Sequence, residues 1–130
     1  INIYMRLSKV LQIGYESKQK QEKKMGKRGY ERDNELSSGD HQAYINKKTG
    51  KLLFNVTGTN NLSDVVTDGY LALGGLKNTS RYKSADTALK KAKEKYHPIS
   101  TSVIGHSLGS SVGSLIASKT DKVTTLDGGY

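Results

Sequence analysis

The stretch that most restricts how this chain can fold is Gly105-His106-Ser107-Leu108-Gly109. It follows a β-type run, "STSVI" from Ser100 to Ile104, and precedes a run of small residues, "SSVGSLIAS" from Ser110 to Ser118. A serine hydroxyl is a poor nucleophile until it is exposed, held rigidly and offered to a base. A sharp turn from a buried strand into a helix meets the first two conditions. Its strained backbone brings the residues two positions away on either side so close that only glycine fits. The N-terminus of the following helix points N–H groups toward any oxyanion formed there. Ser107 between Gly105 and Gly109 meets that requirement in the strand-turn-helix context it demands.

Chance is a poor account of this pattern. A bare Gly-x-Ser-x-Gly arises in roughly 4% of chains of this length at average composition, and the strand and helix flanks lower that several-fold. Two plainer readings stand beside the nucleophile: a glycine-rich turn without chemistry, and a phosphate-cradling loop. The phosphate loop lacks its Gly-x-x-x-x-Gly-Lys-Ser/Thr string, and no Gly-x-Gly-x-x-Gly occurs. A second signal stands upstream in "FNVTGTNNLSDVVTD", Phe54 to Asp68, where Gly58-Thr59 ends a strand before a loop and helix. An acyl-transfer site needs donors for its oxyanion, and where the nucleophile sits on a strand-turn-helix bend of an α/β sheet one can follow the nucleophile and one can come from the loop after an early strand. The N–H groups of Leu108 and Thr59 are the candidates, with an ordinary strand-ending glycine as the plainer alternative for Gly58.

The rest of the chain supplies a matching frame. Asn2 to about Lys20 reads as one helix, with Tyr4, Leu7, Val10 and Leu11 on one face. Lys23 to Asp40 is polar, holds Gly26, Gly29 and Gly39, and reads as loop. "HQAYINKKTGKLLFNVTGT" reads as a hairpin turning at "NKKTG". Ser63 can cap a short helix that Gly74 and Gly75 stop. In "RYKSADTALKKAKEKY", Tyr82, Ala85, Leu89, Ala92 and Tyr96 recur at helical spacing, and Pro98 closes the helix. "ISTSVIG" is then a strand, "SLGSSVGSLIASK" a helix and "KVTTLDGG" a strand. Such alternation argues for an α/β fold: a mostly parallel sheet with an antiparallel hairpin and helices on both faces. The expected division is residues 1–40 as N-terminal helix and polar loop and 41–130 as the core.

Composition narrows the functional classes. At 130 residues the chain is one domain at most. It begins at Ile1 and ends at Asp127-Gly128-Gly129-Tyr130, so both ends are expected to continue into a longer chain. It has no cysteine, which removes disulfides, thiol catalysis and thiolate metal sites. No apolar run approaches the length of a membrane-spanning helix, and no signal peptide is visible. The net charge is +9, spread over both halves; charges are dense between Glu16 and Glu35, where basic residues alternate with acids. That segment is either a solvated surface or a contact for an anionic partner such as nucleic acid or phospholipid. The nucleic-acid reading rests on charge alone, since no ribonucleoprotein-type aromatic string occurs.

"GHSLG" together with "VTGTNNLSDVVTD" resembles the class 3 (fungal-type) lipase family of α/β hydrolases, over about residues 42–127. The resemblance implies Ser107 as nucleophile, Thr59 and Leu108 as oxyanion donors, and Asp64 and Asp68 as structural acids near the oxyanion loop. It implies a lipid or small ester substrate and neither cofactor nor metal. More narrowly, "RYKSAD" through "TTLDGGY" is similar to lipase-like proteins of large DNA viruses, which would make a virion setting possible, with other virion proteins as partners; the other setting open is cytoplasmic. Lipases of this class often carry a lid; "GGLKNTS", Gly74 to Ser80, is the candidate near the mouth, but it has no amphipathic helix pattern.

The chain also departs from the family. Val56-Thr57 stands where members usually carry an aromatic-Arg pair, and Ser110 stands where another glycine is usual. A hydrolase triad runs Ser, then Asp or Glu, then His. After Ser107 the only acids are Asp121 and Asp127, and no histidine follows. Asp127, just past a strand, is a candidate acid; the base is expected beyond Tyr130 or missing. His106 is expected to serve packing or a local hydrogen bond in such a turn, His97 falls on the wrong side of the sheet, and His41 is expected to be exposed. None has metal-ligand spacing. Two readings follow: a serine ester hydrolase working through an acyl-enzyme, or a hydrolase scaffold that serves as a structural or interaction protein without chemistry.

Overall fold

Asn46-Lys47-Lys48-Thr49-Gly50 reverses the chain by side-chain chemistry. The Asn46 Oδ1 accepts from the N–H groups of Lys48 and Thr49 at 3.0 and 3.1 Å, and Gly50 closes the turn at φ 75°, a conformation that favours glycine. In the computed structural model, which describes residues 3–57, 80–106, 116–118 and 121–126, this turn joins β2 (His41–Asn46) to β3 (Lys51–Val56). The two pair antiparallel with His41 opposite Val56 and Asn46 opposite Lys51. β3 then pairs in parallel with β4 (Ser100–His106), and β4 in parallel with β5 (Lys122–Leu126). A two-residue strand, β1 (Glu31–Arg32), adds antiparallel to the other side of β2. The described strands lie in chain order, β1-β2-β3-β4-β5.

Both faces of the sheet are covered, as the alternation of strands and helices predicts. Side chains alternate sides along a strand. Ala43, Ile45, Leu52, Phe54, Val56 and Val103 therefore form one core with the helix α3 (Ser80–Tyr96), which contributes Ala85, Ala88, Leu89 and Ala92. The expected helical face is observed, with Tyr82 and Tyr96 packed at its margin. The helix stops at His97, whose φ of 45° is the left-handed conformation common after a helix end. Pro98 follows and bars continuation. Tyr44, Leu53 and Ile104 point to the opposite face, where α1 (Ile3–Ile13) supplies Val10, Leu11 and Ile13.

The N-terminal segment differs from the single helix and polar loop expected of it. α1 ends at Ile13, and a second helix, α2 (Lys18–Gly26), begins after Ser17, whose hydroxyl accepts from the Lys20 N–H at 3.3 Å. α2 is almost wholly polar, yet it docks through two residues one turn apart, Gln21 and Met25, both buried. The reading of Lys23 to Asp40 as loop missed this because only one of those two residues is apolar. β1 is likewise too short to show a pattern. The short helix read after Ser63 and most of the helix read after Ser107 lie outside the described residues.

Asp33 ties the N-terminal segment to the end of α3. Its carboxylate is 3% exposed. One oxygen accepts from the N–H groups of Glu35 and Leu36, both at 3.1 Å. The other accepts from the Lys95 ammonium at 2.8 Å and the Tyr96 hydroxyl at 2.6 Å. Burial by itself would raise this carboxyl, but the bonds from Lys95, Tyr96 and the Leu36 N–H outweigh it and hold it below its ordinary 3.8. The same contact lifts the Lys95 ammonium. Because folding lowers the Asp33 value, its contribution is complete above the unfolded value and is lost as pH falls through the folded one. Asp33→Ala should cost roughly 1–3 kcal/mol by removing the buried acceptor that holds four part-buried and exposed donors together. Thermal unfolding at neutral pH and near pH 3 should show a large gap between wild type and variant that narrows in acid; an equal gap at both values would contradict this account.

Candidate functional site

The parallel pairings decide which strand ends lie side by side. Val56 lies opposite Gly105, and Gly105 in turn opposite Thr125. β3, β4 and β5 therefore run the same way and end at one level: Val56, His106 and Leu126. Ligands of α/β sheets bind at the carboxyl ends of such strands. From these ends the chain continues into Gly58-Thr59, Ser107-Leu108-Gly109 and Asp127, in that order across the sheet. These residues, with Asp64 and Asp68, lie outside the described residues. Of the expected turn, Gly105 is described as a buried residue of β4, and His106 as its last backbone position.

The floor under this end of the sheet is built from polar side chains that are wholly buried. Gln42 and Asn55 face each other across β2 and β3, and both are 0% exposed. The Asn55 Nδ2 donates to the Val10 carbonyl at 2.9 Å, which fastens α1 to β3 one residue before its end. The Gln42 Nε2 donates to the Ser38 carbonyl at 3.0 Å. Gly14 presses onto this pair: a Cβ there would collide with the Gln42 Oε1 and stand 2.7 Å from the Asn55 Nδ2. Deeper on the same face, the Gln21 Oε1 accepts from the Tyr44 hydroxyl at 2.9 Å and from the Arg32 Nε at 2.7 Å. Burial pushes the Tyr44 phenol well above its ordinary value, so it remains a donor.

Beside the floor, a turn at residues 37–40 grips the exit of β3. The Thr57 N–H donates to the Asp40 carbonyl at 3.0 Å, and the Thr57 hydroxyl donates to the Gly39 carbonyl at 2.8 Å. Thr57 is 1% exposed.

The histidines separate by position. His41 is buried, not exposed as expected: its ring stacks on Phe54 with centroids 5.6 Å apart, and its Nδ1 lies 3.4 Å from the Ser38 Oγ. The alternation His41, Ala43, Ile45 carried that information, because it places all three on the α3 face. His41 opens β2 opposite Val56, so it lies at the same end of the sheet as the candidate loops. His97 precedes β4 and stands exposed at the opposite end, as expected. A cleft of about 460 Å³ opens there, lined by Lys93, His97, Ile99 and Asp121 among others. The strand direction places this cleft away from the candidate loops. Asp121 immediately precedes β5 and is occupied by Lys93 at 2.8 Å and the Ser118 N–H at 2.9 Å, which leaves it a structural acid. Among the described residues no cluster of three histidine or acidic side chains could hold a metal ion, and no helix is long and apolar enough to cross a membrane.

If the Gly14 contact supports this floor, Gly14→Ala should destabilise the protein by about 1–3 kcal/mol through overpacking. Urea unfolding should show a lower midpoint; an unchanged midpoint would mean that Gln42 and Asn55 are free to shift.

Compared with known families, residues 33–124 match the model of the class 3 lipases, about seven-tenths of the chain. No curated protein and no solved structure matches the chain. The match is to the family as a whole and lends nothing to the narrower viral resemblance.

Proposed function

Since the chain belongs to the class 3 lipase family, we propose that it is the nucleophile-bearing part of a carboxylic-ester hydrolase, with Ser107 attacking a lipid or small ester. The observation that carries this reading is the register of Val56 opposite Gly105. It directs the loop after β3 and the turn after β4 out of one end of the sheet as neighbours, which is what an oxyanion site shared between Thr59 and Leu108 requires.

In the proposed reaction the Ser107 Oγ forms a bond to the acyl carbon while its proton passes to a histidine base. The carbonyl oxygen becomes an oxyanion held by the N–H groups of Thr59 and Leu108. The C–O bond to the alcohol then breaks, and the base returns its proton to the departing alkoxide. Water, deprotonated by the same base, hydrolyses the acyl-enzyme. No histidine follows Ser107 in these 130 residues, so the reading takes the base from outside them. Asp127, which follows β5 directly in the sequence, is taken as the candidate acid. In this reading Gly105 and Gly109 are the glycines that a tight turn around Ser107 requires.

The full-length protein should be labelled by a fluorophosphonate at Ser107, and Ser107→Ala should lower ester hydrolysis by roughly 10⁴-fold or more. Labelling elsewhere, or none beside a reactive control hydrolase, would instead support a scaffold without chemistry.

A further inference from the structure

We propose that Thr57 is a positioning residue for the oxyanion donor, clamped by the turn at residues 37–40; this rests on the proposed roles of Thr59 and Ser107. Thr57 is held twice, through its N–H to the Asp40 carbonyl and through its hydroxyl to the Gly39 carbonyl. The turn that holds it is itself cross-tied. The Ser38 N–H donates to the His41 carbonyl at 2.7 Å, and the Asp40 N–H donates to the Ser38 Oγ at 3.0 Å. The Ala43 N–H donates to the Ser37 Oγ at 3.0 Å, and Gln42 reaches the Ser38 carbonyl from below. Every one of these bonds ends on β2 or within the turn, so the turn is an extension of the sheet.

The consequence follows from chain geometry. Once the Thr57 peptide is fixed, the place of the Thr59 N–H depends on three dihedrals: ψ of Thr57 and φ and ψ of Gly58. Gly58 has the widest conformational freedom of any residue type. A donor that follows a glycine points reliably only if the residue before that glycine is immobile. The Thr57 hydroxyl supplies that immobility on the side where β3 has no further strand partner to pair with its end. Oxyanion donors act on charge that develops in the transition state, so loosening the clamp should affect turnover more than substrate binding.

Kinetics of the full-length protein can test this with Thr57→Val, Thr57→Ser and Ser38→Ala. Rates are normalised to the fraction of sites that fluorophosphonate labels. Thr57→Val keeps the shape and removes the donor, and should lower kcat by roughly 10- to 100-fold with KM little changed. Thr57→Ser restores the hydroxyl and should stay within about threefold of wild type. Ser38→Ala loosens the turn without touching β3 and should lower kcat in the same sense, by several-fold. If Thr57→Val does not fold, Ser38→Ala decides alone. Unchanged kcat in the folded variants, or a loss in KM alone, would overturn the clamp. An unlabelled wild-type Ser107 would overturn the proposed function instead, so the two failures are distinguishable.

Discussion

The hydrogen-bonded ladder between β3 and β4 is the constraint on which the rest of the structure depends. A parallel pair cannot be closed by a short turn, so the chain must leave the end of β3 and return to the start of β4 by a long crossover. That crossover includes α3, whose alanines lie flat on the sheet. The same ladder fixes Val56 beside Gly105. A slip of one residue would turn every side chain to the wrong face and move the two candidate loops out of step. Neither helix layer could tolerate that, because Leu52 and Leu53, adjacent in sequence, serve opposite cores.

The two faces are stabilised differently. The α3 face is apolar and close-packed, with small residues on the helix and large ones on the strands. The α1 and α2 face mixes Leu11, Ile13 and Met25 with Gln21, Gln42 and Asn55. Buried amides cost free energy unless paired, so they demand particular partners where apolar groups would not. Here those partners are backbone carbonyls at the ends of elements: Val10, Gly14, Glu16 and Ser38. The Asn55 and Gln42 bonds fasten α1 and the 37–40 turn to the sheet near the end of β3, and the Gln21 bonds fasten α2 to the connection that follows α1. The polar face thus trades packing energy for fixed positions, and it does so next to the candidate site.

Much of the frame was legible in the residues. "KLLFNV" and "STSVI" are strand-like runs bounded by turn chemistry, and the spacing of Ala85, Leu89 and Ala92 marks a helix with one buried side. α2 was not legible, because hydrogen bonds and not apolar area bury Gln21. β1 was not, because two residues carry no period. His41 was misjudged by residue type when its alternation with Ala43 and Ile45 pointed inward. The glycine-flanked serine and Gly58 mark the candidate site in the sequence, and the pairing of β3 with β4 sends the chain toward both from one end of the sheet. The grip of the 37–40 turn on Thr57 left no trace in residue pattern, since it runs through main-chain carbonyls that any sequence would present.

The central claim is that two loops leaving neighbouring parallel strands converge on one acyl oxygen. A crystal structure of the full-length protein inactivated by an alkyl phosphonate tests it most directly. The account predicts phosphorus bonded to the Ser107 Oγ, with one phosphonate oxygen about 3 Å from the main-chain nitrogens of both Thr59 and Leu108. An adduct whose oxygens meet only one of these nitrogens, or neither, would contradict it.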